Sequence, residues 1–210
     1  ALSESCDVYF YKIAKEIGLD EINNYGHKMG IGSIFTDFIP DIPSGFVPNS
    51  DWYKSIYGRY QKGFALNTSI GQGDVYLSPF KIAEIYGIIA NLGIRKQINF
   101  VDKIVSKDGK SIYERKITHK IVDISPAVFQ KVHKGLFSAV NSPSGTAYYQ
   151  RIINPLVSGK TGTALVASKT YDAYGSEIPW ELRHHAWFTG FAPSYKPEIV
   201  VTVLIDHGGS

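Results

Sequence analysis

The 210 residues contain one cysteine, Cys6, and one methionine. A single thiol excludes an internal disulfide. Cys6 has no CxxC companion and no HxxxH pair elsewhere, so no metal site is complete in the sequence and none is expected. Long apolar runs are also missing. The longest strongly apolar stretch is Ile199 to Ile205, far short of the ~20 residues needed to span a bilayer. Charge of one sign is never massed: 22 Lys and Arg against 19 Asp and Glu give a net charge of +3. The basic residues are scattered, so nucleic acid is not implied as a partner. There are no repeats, no low-complexity tracts, no signal peptide and no initiator Met, so the chain is expected to be a piece of a larger protein.

Apolar content of 44% and charged content of 20% are those of a globular protein with one sizeable core. The spacing of apolar residues predicts a helix from Asp7 to Gly18 and a second from Leu19 to Met29. Pro40, Pro43 and Pro48 break the region from Gly30 to Ser50 into an irregular loop. Asp51 to Tyr60 reads as a short helix and Asn67 to Gly73 as a polar turn. Ser78-Pro79 and Ser125-Pro126 read as N-caps with proline at the first helical position, opening helices that end near Asn91 and Asn141. An Asp-Gly turn at Asp108-Gly109 predicts a hairpin between 100–106 and 111–115. Three strands follow: Leu156 to Ala167, His184 to Ala192 and Glu198 to Asp206. A polar excursion, Thr170 to Trp180, separates the first two. Helices followed by an antiparallel meander make the fold class α+β.

The stretch Ser158-Gly159-Lys160-Thr161-Gly162-Thr163-Ala164 combines a cation, hydroxyls and bare glycines with β-compatible neighbours. It suits a strand edge that receives an anionic, peptide-like ligand. It is not a phosphate loop, because the glycine that motif needs five positions before Gly159 is Asn154. An ordinary exposed strand with one lysine remains open for this stretch alone. Ser5-Cys6-Asp7 lies where a helix begins, and there Ser5 or Asp7 could be merely an N-cap. Alternatively the pair offers a hydroxyl and a carboxylate to a cleft, able to pass a proton and bind an amide.

Taken together, Ser5-Cys6-Asp7-Val8-Tyr9-Phe10-Tyr11, Ile70-Gly71-Gln72-Gly73 with Leu77-Ser78-Pro79, Ser144-Gly145-Thr146-Ala147, Ser158 to Ala164 and Ala186 to Pro193 fall in one order. In that order the chain resembles the C-terminal part of a class B penicillin-binding protein transpeptidase domain, with Ser-x-Asp in place of the usual Ser-x-Asn. The Ser-x-Asp form points to the elongation type, penicillin-binding protein 2. The resemblance covers residues 1–210 as part of one transpeptidase domain with the penicillin-binding/β-lactamase-like fold. The family's upstream Ser-x-x-Lys segment is expected to lie outside them. Ser78-Pro79-Phe80-Lys81 fits that pattern, but it follows the second motif instead of preceding it.

The resemblance implies an enzyme that cross-links peptidoglycan stem peptides ending in D-Ala-D-Ala through an acyl-serine, and that β-lactams acylate. Ser5 would relay a proton with Lys160, and Asp7 would bind the substrate amide. Thr161 and Thr163 would receive the terminal carboxylate, with the Thr163 N–H as an oxyanion donor. Gly162 would keep the strand edge open. For His184, His185 and Trp187 strand packing is expected, and no role is evident for Gly71-Gln72-Gly73. No cofactor or metal is implied. A membrane glycan polymerase of the elongation machinery is the implied partner, and an N-terminal membrane anchor would hold the domain at the outer face of the inner membrane. A β-lactam sensor or a serine β-lactamase-like hydrolase are the rival readings. The 210-residue chain alone is expected to be inert. Incubation with a fluorescent penicillin should leave no covalent adduct by mass spectrometry; an adduct on Ser78 would mean that Ser78-Pro79-Phe80-Lys81 is the nucleophile motif after all.

Overall fold

The computed structural model describes residues 1–36, 42–166 and 179–209. Helices α1 (Asp7–Ile17) and α2 (Leu19–Lys28) meet at Gly18, whose φ of +80° lets the chain turn between them. Helix α3 (Ser50–Tyr57) is capped by the Asn49 side chain, which accepts from Trp52 N at 2.8 Å. Helix α4 (Lys62–Ser69) packs against α1 and α2. Their shared core is Ala14, Leu19, Tyr53 and Ala65, with the Tyr53 and Phe64 rings stacked. Burial pushes the Tyr53 phenol up to about 12, helped by its hydrogen bond with Asp74.

The last turn of α4 overlaps the region expected to be a polar turn. Thr68 is buried, and the Ser69 hydroxyl donates back to Leu66 O at 2.7 Å, so the helix absorbs the polar residues that sequence assigned to a loop. Helix α5 (Pro79–Ala90) begins as its Ser-Pro signal predicts, with Ser78 Oγ accepting from Lys81 N at 3.2 Å. Strands β1 (Ile94–Lys96) and β4 (His119–Ile121) pair antiparallel, an element sequence reading missed. Each is three residues long and its partner is distant in sequence, so no local turn announces the pair. Between them β2 (Lys103–Val105) and β3 (Ser111–Glu114) form the expected hairpin.

Helix α6 (Pro126–Asn141) starts at its predicted proline, but Ser125 makes no side-chain cap bond. Strands β5 (Ser158–Ala164), β6 (His185–Ala192) and β7 (Ile199–Ile205) form one antiparallel sheet in the order β5-β6-β7. β5 is shorter than expected; Ala167 and most of the Thr170–Trp180 excursion lie outside the described residues. Ser158 faces Phe191 and Ala164 faces His185 in an unbroken register. Helices α5 and α6 lie against this sheet, joined by a core of Ile88, Ile89, Val122, Phe129, Leu136 and Phe191.

A buried charge cluster fastens α5 to its surroundings. Lys81 Nζ donates to Gly30 O at 3.0 Å, to Ser33 O at 2.7 Å and to the Glu84 carboxylate. Arg95 Nε donates to the other Glu84 oxygen at 2.7 Å. Lys81 thus spends its charge on structure, and its three ammonium donors are matched by Gly30 O, Ser33 O and Glu84. Losing Glu84 would strand two buried cations. Glu84→Ala should cost ~3–5 kcal/mol, the usual penalty for breaking a buried ion pair, read as a lower urea midpoint; a loss below ~1 kcal/mol would show that the cluster is solvated.

Candidate active site

The site is built on β5. Gly159 lies opposite Gly190, and a Cβ on Gly159 would come within 2.7 Å of both Thr189 O and the Phe188 ring. Only glycine lets β6 approach this closely. The start of the strand is fixed from below: Ser158 Oγ lies 2.6 Å from Ser194 Oγ, which lies 3.1 Å from His133 Nε2 of α6. Burial pushes the His133 imidazole down from its ordinary value.

β5 is the edge strand, as predicted, with β6 on its other side. Gln72 covers part of the open edge. Its Nε2 donates to Thr163 O at 2.8 Å, and its Oε1 accepts from Leu165 N at 3.3 Å. In an antiparallel strand one residue's N–H and C=O point to the same side, so the Thr163 N–H also faces this open edge. That gives Gln72 a task sequence reading did not find: its amide imitates a neighbouring strand and ends the edge just past Thr163. The flanking glycines, at φ +74° and +76°, place the turn that carries it.

Lys160 is half-buried, and its ammonium has three acceptors: Thr146 Oγ1 at 3.2 Å, Thr161 Oγ1 at 3.0 Å and Thr161 O at 3.0 Å. Thr161 Oγ1 also donates to Thr146 Oγ1 at 3.1 Å. Burial lowers the Lys160 pKa, and the Asp7 charge opposes that shift. Thr146 is the residue the sequence named within Ser144-Gly145-Thr146-Ala147 without a role. It is held in place because Gly145 lies on the end of α6, where a Cβ would sit 2.4 Å from the Ser138 and Ala139 carbonyl oxygens. The Thr146 N–H donates to Ser3 O at 3.2 Å, tying this loop to the segment that leads into Ser5.

Ser5 is not an N-cap. Cys6 occupies that position without a side-chain bond, and Ser5 precedes it with φ +52°, an uncommon conformation outside glycine. Asp7 is the first residue of α1. Ser5, Asp7, Gln72, Lys160, Thr161 and Thr163 line one cleft of ≈560 Å³, together with Gly162. A proton relay needs Ser5 and Lys160 in direct contact or bridged by one water; they share this cleft without a direct hydrogen bond, and the ammonium donors are matched by Thr146 and Thr161. Alternation along the strand would put Lys160 on the face opposite Thr161, but its flexible stem curls over to the Thr161 hydroxyl. Trp187 lies beside Gly162, whose added Cβ would be 3.3 Å from the Trp187 Cβ, and His184 Nδ1 accepts from Val166 N at 3.3 Å. An ammonium, paired hydroxyls and open strand-edge groups in one cleft can receive a carboxylate and a peptide backbone together.

Residues 1–210 match the family described as the penicillin binding protein transpeptidase domain, and the chain belongs to that family. Among its members the likeness runs to the PBP2/MrdA type. The peptidoglycan D,D-transpeptidase MrdA of Haemophilus influenzae is 30% identical over 216 residues, covering 100% of this chain and 33% of that protein. The MrdA of Escherichia coli is 28% identical over 217 residues, covering 100% and 34%. The chain therefore spans about a third of the length of these relatives. In structure it is similar to PBP2 of Helicobacter pylori, seen in complex with MreC, with a TM-score of 0.81 and 28% identity over 99% of this chain and 36% of that one. It is similar too to Pseudomonas aeruginosa PBP2 in complex with WCK 5153, with a TM-score of 0.77 and 26% identity over 97% and 43%.

Asp7 raises the Lys160 pKa against the lowering by burial. Asp7→Asn should therefore lower the Lys160 pKa further, read from the isotope-labelled lysine side chain by NMR. A rise or no change would remove Asp7 from the electrostatics of this cleft.

Proposed function

We propose that the protein carrying this chain is a peptidoglycan D,D-transpeptidase of the cell-elongation machinery, inhibited by β-lactams, in which residues 1–210 form the C-terminal part of the transpeptidase domain. The observation that carries this reading is the shared cleft: Ser5 and Asp7 from the start of the chain meet Lys160, Thr161 and Thr163 from β5, though nothing local forces them together. Its family membership supports the same reading.

In the proposed reaction a serine contributed by the rest of the domain attacks the penultimate D-Ala carbonyl, forming an ester as the peptide bond breaks. Thr161 and Thr163 hydroxyls and the Lys160 ammonium hold the terminal carboxylate. The Thr163 N–H, on the open edge of β5, donates to the oxyanion. Asp7 accepts from the substrate amide. Ser5 delivers the proton to the departing amine; because Lys160 is engaged by Thr146 and Thr161, a cleft water links it to Ser5. The acyl-serine is then taken by an amine of a second stem peptide. Asp7 in place of the family's asparagine adds a negative charge that raises the Lys160 pKa against the lowering by burial.

We propose a membrane glycan polymerase as partner of the whole protein, and an MreC-type protein as a second, after the Helicobacter relative. The domain would work on the outer side of the inner membrane from an N-terminal anchor. Among the described residues no helix is long and apolar enough to cross a membrane.

Lys160→Ala in the full-length protein should lower the rate of β-lactam acylation by about two to three orders of magnitude, the scale of a lost electrostatic contact at the transition state. Unchanged acylation in a folded variant would sink the mechanism. Thr146→Val should cost about tenfold, as for one hydrogen bond of ~1–1.5 kcal/mol, with Thr146→Ser restoring the rate. If Ser and Val behave alike, Thr146 matters only for packing.

A further inference from the structure

Three side chains of metal-ligating type converge where β6 begins and β7 ends. His185 opens β6, and Asp206 and His207 directly follow Ile205, the last residue of β7. The ladder places Ala186 opposite Ile205, so His185 and Asp206 are the next facing pair. His185 Nδ1 lies 2.6 Å from Asp206 Oδ1, and His207 Nε2 lies 4.0 Å from the same oxygen. One ligand atom from each residue lies within 4.8 Å of the other two.

The ordinary alternative is a histidine–aspartate ion pair beside a stacked ring. In that pair the single in-plane position of Nδ1 serves the Asp206 carboxylate, although the His207 backbone N–H also approaches it at 3.0 Å. A divalent cation shared by the imidazole and the carboxylate would take that position instead and displace the N–H contact, and the metal-binding test separates the two.

His207 is prepared in the way metal ligands are. Its Nδ1 lies 2.9 Å from Arg183 O, an acceptor only, so Nδ1 carries the proton and Nε2 keeps its lone pair. A ligating histidine characteristically donates its other ring N–H to such a carbonyl. The His207 ring is held between Trp180 and His185, with centroids 4.5 and 4.6 Å away, and its backbone sits at φ +50°. Ligand atoms ~2.0–2.1 Å from a tetrahedral zinc are ~3.3 Å apart. The distances of 2.6 and 4.0 Å straddle that value, within reach of small side-chain rotations.

We propose that His185, Asp206 and His207 bind one divalent transition-metal ion of the zinc class, which clamps the start of β6 to the end of β7. Two imidazoles and a carboxylate suit zinc and leave one position for water. The clamp acts on the end of the sheet where His185 faces Ala164, one step beyond Thr163. It is independent of the transpeptidase reading.

The test uses the full-length protein, stripped with a chelator and then equilibrated with zinc, with bound metal counted by elemental analysis. Cobalt(II) titration adds a visible spectrum that reports tetrahedral nitrogen and oxygen ligation. His207→Ala and Asp206→Asn should each lower the stoichiometry by one ion per chain, and His184→Ala should leave it unchanged. Any weaker binding that survives should be reduced by more than the ~10–100-fold lost with an outer-shell partner. Should His207→Ala fail to fold, Asp206→Asn, which keeps size and shape, decides alone. Equal stoichiometry in wild type and variants, including none in all, would overturn the proposal, as would loss of the ion in His184→Ala.

Discussion

The close pairing of β5 with β6 is the constraint on which the rest of the site depends. Gly159 against Gly190 admits no side chain on the first of them, so the two backbones sit at a spacing that no other residue there would allow. That pairing turns Thr161 and Thr163 to the cleft, where the Lys160 stem also curls, and leaves the far edge of β5 free of another strand. The Ser158–Ser194–His133 chain of hydrogen bonds holds the beginning of the strand to α6. Once β5 is placed, Gln72 has two backbone groups to bond, and the usable edge is defined to within a residue.

Around that strand, electrostatics is balanced between burial and counter-charge. Lys160 loses water on folding and is compensated by two threonine hydroxyls, a carbonyl and the charge of Asp7. Thr146 is central because it touches both Lys160 and Thr161 and its own backbone is bonded to Ser3. One residue therefore connects the α6 end, the β5 cleft face and the approach to Ser5. The other buried lysine, Lys81, illustrates the opposite outcome. Its charge is consumed by Glu84 and two carbonyls, and it fastens α5 to the segment at Gly30 and Ser33.

Much was legible without coordinates, and for identifiable reasons. The Ser-Pro and Asp-Gly signals, the 3.6-residue apolar spacing of α1 and α5 and the β-rich last third are local properties, so they located most elements. The motif order from Ser5 to Pro193 located the family. Polar residues at 67–69 misled, because Thr68 is buried in tertiary packing that local composition does not register. The β1–β4 pair was missed since two three-residue strands carry almost no period of their own.

What the sequence by itself determined was the set of groups at the site: a lysine, two threonines and a glycine in one strand, and Ser5 and Asp7 near the chain's start. Residue types and their spacing are written in the chain, and within a strand they dictate which backbone groups share an edge. Which atom meets which was decided only by the fold. The sequence could not say that Lys160 is satisfied by Thr146 and Thr161 instead of Ser5, or that Gln72 bonds the edge of β5. Nor could it bring His185 beside Asp206 and His207. Apart from the adjacent Lys160 and Thr161, these contacts join residues from 14 to 93 positions apart, and their distances depend on side-chain reach and ladder register, which arise when the elements pack.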